Sequence, residues 1–272
     1  GQQHDSVRQT ALSALGACTW VGLAVAAVLL LGNNVILDVL NAPDEILPLV
    51  APYLQLLAPA ALLEGYNLAM ASILRAHLHV KDSLKVMVAM HTTHIALAVP
   101  LMLGVREWEG LGLYGYAVAY LLSRALGLWL HLMLWRNRMG LKPNARHWWV
   151  LQPRVLAPVL RVGVPGASNE LGYRIAFLVS LASAARLGVG ALATHSYTLQ
   201  LLRYVVLISL SIGWACEIMV GRLVGAGKFR QAKELVKKGT RNGLVASGTL
   251  ALAAALAAPW LDEHPEYHAD LH

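Results

Sequence analysis

The chain has 272 residues, of which 57% are hydrophobic and only 14% charged, and its mean hydropathy is +0.54. A water-soluble domain carries roughly 25% charged residues, so composition excludes an ordinary soluble fold. The net charge of +7 would suit nucleic acid, but nearly all the Lys and Arg lie in short loops beside apolar segments, an arrangement that addresses anionic lipid and not nucleic acid.

Seven long apolar segments are predicted, at 7–31, 47–74, 84–105, 111–135, 162–185, 189–220 and 243–260. In the first, residues 11–31 run for 21 positions without a charge. At ~1.5 Å rise per residue that crosses a ~30 Å hydrocarbon layer. The second carries Pro48, Pro52 and Pro59, tolerable in a membrane helix because its neighbours re-satisfy the freed carbonyls. Cys18 and Cys216, the two cysteines, both fall inside apolar segments, which argues against a disulfide framework or a cysteine-held metal.

The loops alternate in charge. Seventeen Lys and Arg fall on one side, in the stretches around Arg8, 75–85, 136–161 and 222–241; Arg106 and Arg186 fall on the other, and three lie within spans. Nine acidic residues sit on the Arg106 side and three on the basic side. The positive-inside rule assigns the basic side to the cytoplasm, which makes a multi-pass protein of the cell inner or plasma membrane the expectation. The basic stretch 136–161, with Pro143, Pro153, Pro158 and the pair Trp148–Trp149, is predicted to be an interfacial connector with indoles at the headgroup level, and a hinge between two helix bundles.

Charges inside spans are costly and so mark candidate sites. Six occur: Glu64, Arg124, Glu170, Arg174, Arg203 and Glu217. Glu170 lies five residues past Pro165, ~13 Å from the start of its span. A carboxylate buried there could bind and release a proton or attract an organic cation; paired with Arg174 at i+4 it would be structural. Glu64, with Tyr66 and Asn67 beside it, either lines a cavity in the first half or pairs with another helix, Arg124 being one possible partner. Arg203, near Gln200 and Tyr204, disfavours a purely cationic substrate, unless it is tied to Glu217 or Glu170. His91 and His94 stand at i and i+3, but no third ligand follows at metal-site spacing. Gly225-Ala226-Gly227 reads as a helix end, since no strand precedes it and no P-loop Lys follows.

Several stretches together resemble the multidrug and toxic compound extrusion (MATE) family at the start of its second half: Arg161-Val162-Gly163-Val164-Pro165-Gly166, then Leu187-Gly188 with Ala191-Leu192-Ala193, then Gly221-Arg222 with Gly225-Ala226-Gly227 and Ala232. Earlier, Asn41-Ala42-Pro43-Asp44-Glu45 and Leu74-Arg75-Ala76 resemble the entry and cytoplasmic exit of that family's fourth helix. The resemblance implies an all-α polytopic membrane protein whose seven spans are helices three to nine of a twelve-helix, two-lobe transporter. Residues 1–140 would be the remainder of the N-terminal lobe, 141–161 a basic cytoplasmic linker, and 162–272 the start of the C-terminal lobe with a polar tail. Helices one, two and ten to twelve would lie outside the sequence. In some members of the family an acidic residue stands eight positions after the Pro; here Tyr173 occupies that position and Glu170 sits one turn nearer the cytoplasm.

The function expected is therefore secondary active export of a hydrophobic, often cationic small molecule, coupled to protons or sodium, with no cofactor, no metal and no nucleic-acid partner. Membrane lipid is the surrounding partner and a monomer the expected state. The candidate substrate or coupling residues are Glu170, Tyr173, Arg174, Glu64, Asn67 and Arg203. A flippase for lipid-linked precursors or polysaccharides is the alternative, for which the intramembrane arginines leave room. A membrane-embedded enzyme is disfavoured, because no nucleophile–base or metal motif appears.

Overall fold

The computed structural model describes residues 2–31, 47–104 and 108–262. The loop motif at 41–45, Arg106 with Glu107, and the tail beyond 262 lie outside the described residues. Among the described residues the chain forms eight helices: α1 Gln2–Leu31, α2 Leu47–Ala76, α3 Val80–Leu103, α4 Leu113–Met139, α5 Ala145–Trp149, α6 Pro153–Ala185, α7 Val189–Gly225 and α8 Phe229–Asp262.

Five stretches, Arg8–Leu31, Pro52–Ala76, Val80–Leu103, Leu113–Met139 and Thr194–Gly225, are long and apolar enough to cross a membrane. The other two predicted spans, 162–185 and 243–260, are helical inside α6 and α8. Those helices are more polar: α6 carries Glu170 and Arg174, and α8 opens on the basic run from Arg230 to Arg241. Helices also extend past the predicted apolar limits, because a helix does not stop where hydrocarbon meets headgroup. Helix α6 begins at Pro153, a residue suited to the first helical position, where its missing N–H would have no partner anyway.

The chain divides into two compact units, Gly1–Val164 and Pro165–His272. In the first, α2 packs along α1 and α4, α4 packs along α3, and α5 lies against α1. Pro52 and Pro59 stay within α2, and Pro100 within α3. The core gathers at the basic end, where Leu12, Leu15, Met70, Leu74, Trp135 and Leu141 are buried together. Ion pairing and capping close the same end. Arg138 reaches Asp82 at 3.2 Å, and α4 stops at Gly140 in the left-handed conformation (φ 62°). The Leu141 amide then donates to the Trp135 carbonyl at 3.0 Å, folding Leu141 into the core.

The connector reaches this core through α5. Asn144 accepts from the His147 amide at 3.3 Å while its own amide donates to His147 Nδ1 at 3.0 Å, a reciprocal cap. Trp148 then packs edge-on against Tyr66 with ring centroids 4.8 Å apart, and the Trp20 indole donates to the Trp149 carbonyl at 2.9 Å. Gly16 permits this approach: a Cβ there would come to 2.5 Å from the Val150 carbonyl oxygen. The first stretch of α1, the 76–82 turn and the 136–152 connector thus meet at one end, as the loop charges require.

In the second unit α7 and α8 pack together, with Ser209 Oγ donating to the Gly243 carbonyl at 3.1 Å. Ser180 on α6 lies 2.9 Å from His195 Nε2 on α7. Large apolar side chains remain exposed in both units, Leu68, Ile95 and Trp129 in one and Leu178, Leu201 and Leu252 in the other. In water such surface would drive aggregation; lipid tails match it without cost.

Candidate functional site

Helix α2 presents Glu64, Asn67, Met70 and Leu74 at helical spacing, and α4 answers with Arg124, Gly127, His131 and Trp135. Arg124 Nε lies 2.6 Å from Glu64 Oε2, with the Arg side chain 5% exposed and the Glu side chain 31%. The guanidinium also sits 4.2 Å above the Tyr120 ring. One turn on, the Asn67 amide donates to the Arg124 carbonyl at 2.9 Å, and His131 Nδ1 lies 2.9 Å from Asn67 Oδ1. The ring therefore donates from Nδ1 to the amide oxygen. The Trp135 indole closes the row by donating to the Met70 carbonyl at 3.3 Å. Gly127 lets the helices meet there, since a Cβ would collide with the Met90 sulfur and stand 2.9 Å from Asn67 Oδ1.

On the other side of α2, Tyr66 OH and Thr19 Oγ1 are 2.6 Å apart, and Thr19 donates onward to the Leu15 carbonyl at 3.0 Å. A groove of about 540 Å³ runs between α1 and α2 with Tyr120 of α4 at its edge; Cys18, Val21, Val25, Leu57 and Leu68 wall it, and Glu64 opens onto it. Nearby, His94 packs edge-on against Tyr116 and Tyr120, at 4.8 and 5.4 Å.

In the second unit a cavity of about 510 Å³ opens between α6 and α7. It is lined by Glu170, Tyr173, Arg174, Phe177 and Arg203 among aliphatic side chains. Glu170 and Arg174 pair at 2.9 Å one helical turn apart, both largely exposed, at 62% and 71%. The Tyr173 and Phe177 rings lie 5.6 Å apart at 40°. Among the described residues Arg203 makes no ion pair with Glu217 or Glu170; Glu217 faces a separate groove between α7 and α8.

The structure thus brings four of the six predicted candidates, Glu170, Tyr173, Arg174 and Arg203, to one cavity. It places Glu64 on a different groove with Arg124 as its partner. Asn67 is buried, with its amide nitrogen and oxygen each bonded to α4, and Tyr66 faces Thr19 and Trp148. His131 and Gly127 were not singled out from the sequence. Their signal was present in the spacing 124, 127, 131 and 135, which places one Arg, one Gly, one His and one Trp on a single face of α4.

This is a polytopic α-helical membrane protein with polar sites between its helices, the organisation of a membrane transporter. A family model described as MatE matches residues 1–99 and 166–262, and the chain belongs to that family of transporters. It is 24% identical over 237 residues to the "Uncharacterized transporter YisQ" of Bacillus subtilis (strain 168), covering 87% of this chain and 52% of that protein. It is also 24% identical over 258 residues to the "Probable multidrug resistance protein YoeA" of the same organism, covering 92% of this chain and 56% of that protein. The chain therefore spans about half the length of these relatives. In fold it resembles the solved "Crystal structure of MATE in the bent conformation", with TM-score 0.79 and 17% identity, over 94% of this chain and 61% of that one.

Proposed function

We propose that the protein is a secondary active antiporter of the inner or plasma membrane. It exports hydrophobic, often cationic organic compounds, driven by an inward proton or sodium gradient through alternating access. The observation that carries this reading is the α6–α7 cavity, which sets the exposed carboxylate of Glu170 beside the paired rings of Tyr173 and Phe177. A carboxylate held by one i+4 arginine and open to the cavity is free to exchange that partner for a coupling ion or a substrate cation, while the rings stack on a flat organic body. A relative named as a probable multidrug resistance protein supports the same substrate class. No cofactor beyond the coupling ion and no second subunit is needed.

A second reading, a flippase for lipid-linked precursors or polysaccharides, is favoured by one feature. Arg174 and Arg203 line the same cavity, and together they outnumber its single carboxylate and suit an anionic headgroup. Efflux of a cationic dye from cells, with and without ionophores that collapse the proton and sodium gradients, separates the readings. Loss of efflux on collapse is expected, and efflux that survives the loss of both gradients ends the antiporter reading. Glu170→Gln is expected to abolish gradient dependence while leaving membrane insertion intact.

A further inference from the structure

The groove of the first unit raises a question of charge. Its walls are apolar, and among the described residues Glu64 is the one charged side chain lining it. A lone carboxylate at the floor of an apolar groove selects cations. Here the carboxylate is not alone: Arg124, itself absent from the groove lining, holds Glu64 Oε2 from behind at 2.6 Å while stacked on Tyr120. The remaining exposure of Glu64 faces the groove, where it accepts hydrogen bonds but offers no net charge.

We propose that Arg124 is a specificity-determining residue. By neutralising Glu64 from outside the groove, it converts a cation-selecting floor into one that receives uncharged, apolar organic molecules. The volume, about 540 Å³, lies within the range of small-molecule sites, and an uncharged occupant is what a charge-compensated apolar groove complements. This site is distinct from the α6–α7 cavity. Because it is read by binding at equilibrium, its failure and the failure of the exporter reading are separable.

Cys18 lines the groove and carries a free thiol, so it reports the local charge directly. With Cys216→Ala removing the other cysteine, the protein in lipid nanodiscs is labelled with cationic and anionic methanethiosulfonates of equal size. In that reaction the thiolate displaces methanesulfinate and forms a mixed disulfide. Rates are normalised to those of a free thiol. In the parent the normalised cation-to-anion ratio is expected near one. Arg124→Met is expected to raise it about tenfold, the effect of one uncompensated charge at close range in a partly dry site, and adding Glu64→Gln to Arg124→Met is expected to restore the parent ratio. Uncharged diphenylhexatriene is expected to protect Cys18 in the parent, and its trimethylammonium derivative only in Arg124→Met. A ratio unmoved by Arg124→Met overturns the proposal. So does equal protection of the parent by both dyes, or protection by neither, which would leave the groove to lipid.

Discussion

Glu64–Arg124 in the first unit and Glu170–Arg174 in the second are both Glu–Arg pairs within apolar spans, and the two differ in almost everything except chemistry. Glu64 and Arg124 join two helices across 60 residues of sequence, with Arg124 only 5% exposed. Glu170 and Arg174 join one turn of a single helix, and both side chains are largely exposed. A buried charge stripped of its partner has no solvent to fall back on, so the first pair holds structure together. The i+4 pair is set by local spacing within one helix and contributes little to the packing between helices, and its carboxylate lines the α6–α7 cavity, where it is available to a ligand. Environment, more than residue type, separates a locked pair from an open one.

The sharpest break of that contrast is Glu64→Gln. It strands Arg124 without a counter-charge and is expected to cost about 3–5 kcal/mol, read as a lowered thermal midpoint in nanodiscs. Equal losses from Glu64→Gln and Glu170→Gln would erase the distinction between the pairs. Next comes Gly16→Ala, which forces the connector away from α1 at an expected cost of about 1–3 kcal/mol. Faster proteolysis within residues 140–152 would report it. Asn67→Leu removes the partner of both the Arg124 carbonyl and His131 and is expected to cost about 1–2 kcal/mol, measured by the same melting experiment. Smallest is Arg174→Gln, expected to change stability by no more than about 0.5 kcal/mol. Its effect should appear in the charge preference of transport, measured with matched cationic and anionic substrates, and not in stability.

The Glu170–Arg174 pair was legible from spacing alone, because i,i+4 on a helix settles which side chains meet. Glu64 was different. Arg124 was one candidate partner among the intramembrane charges, and only the facing of α2 and α4 selected it. The same facing buried Asn67, whose position beside Glu64 had suggested a cavity wall, and brought in His131, marked in sequence only by its spacing from Arg124, Gly127 and Trp135. The stretch read as a basic connector proved largely helical, with α4 running to Met139, a short α5, and α6 opening at Pro153. Its prolines were visible in sequence; that one of them starts a helix depended on the chain around it.

Composition and the length of the apolar runs were enough to establish lipid as the solvent and helix as the spanning element, because each is a property summed along the chain. Which intramembrane charges are locked and which are open to a ligand was decided only by tertiary structure. Burial is created by neighbours distant in sequence, and burial sets the cost of leaving a charge alone.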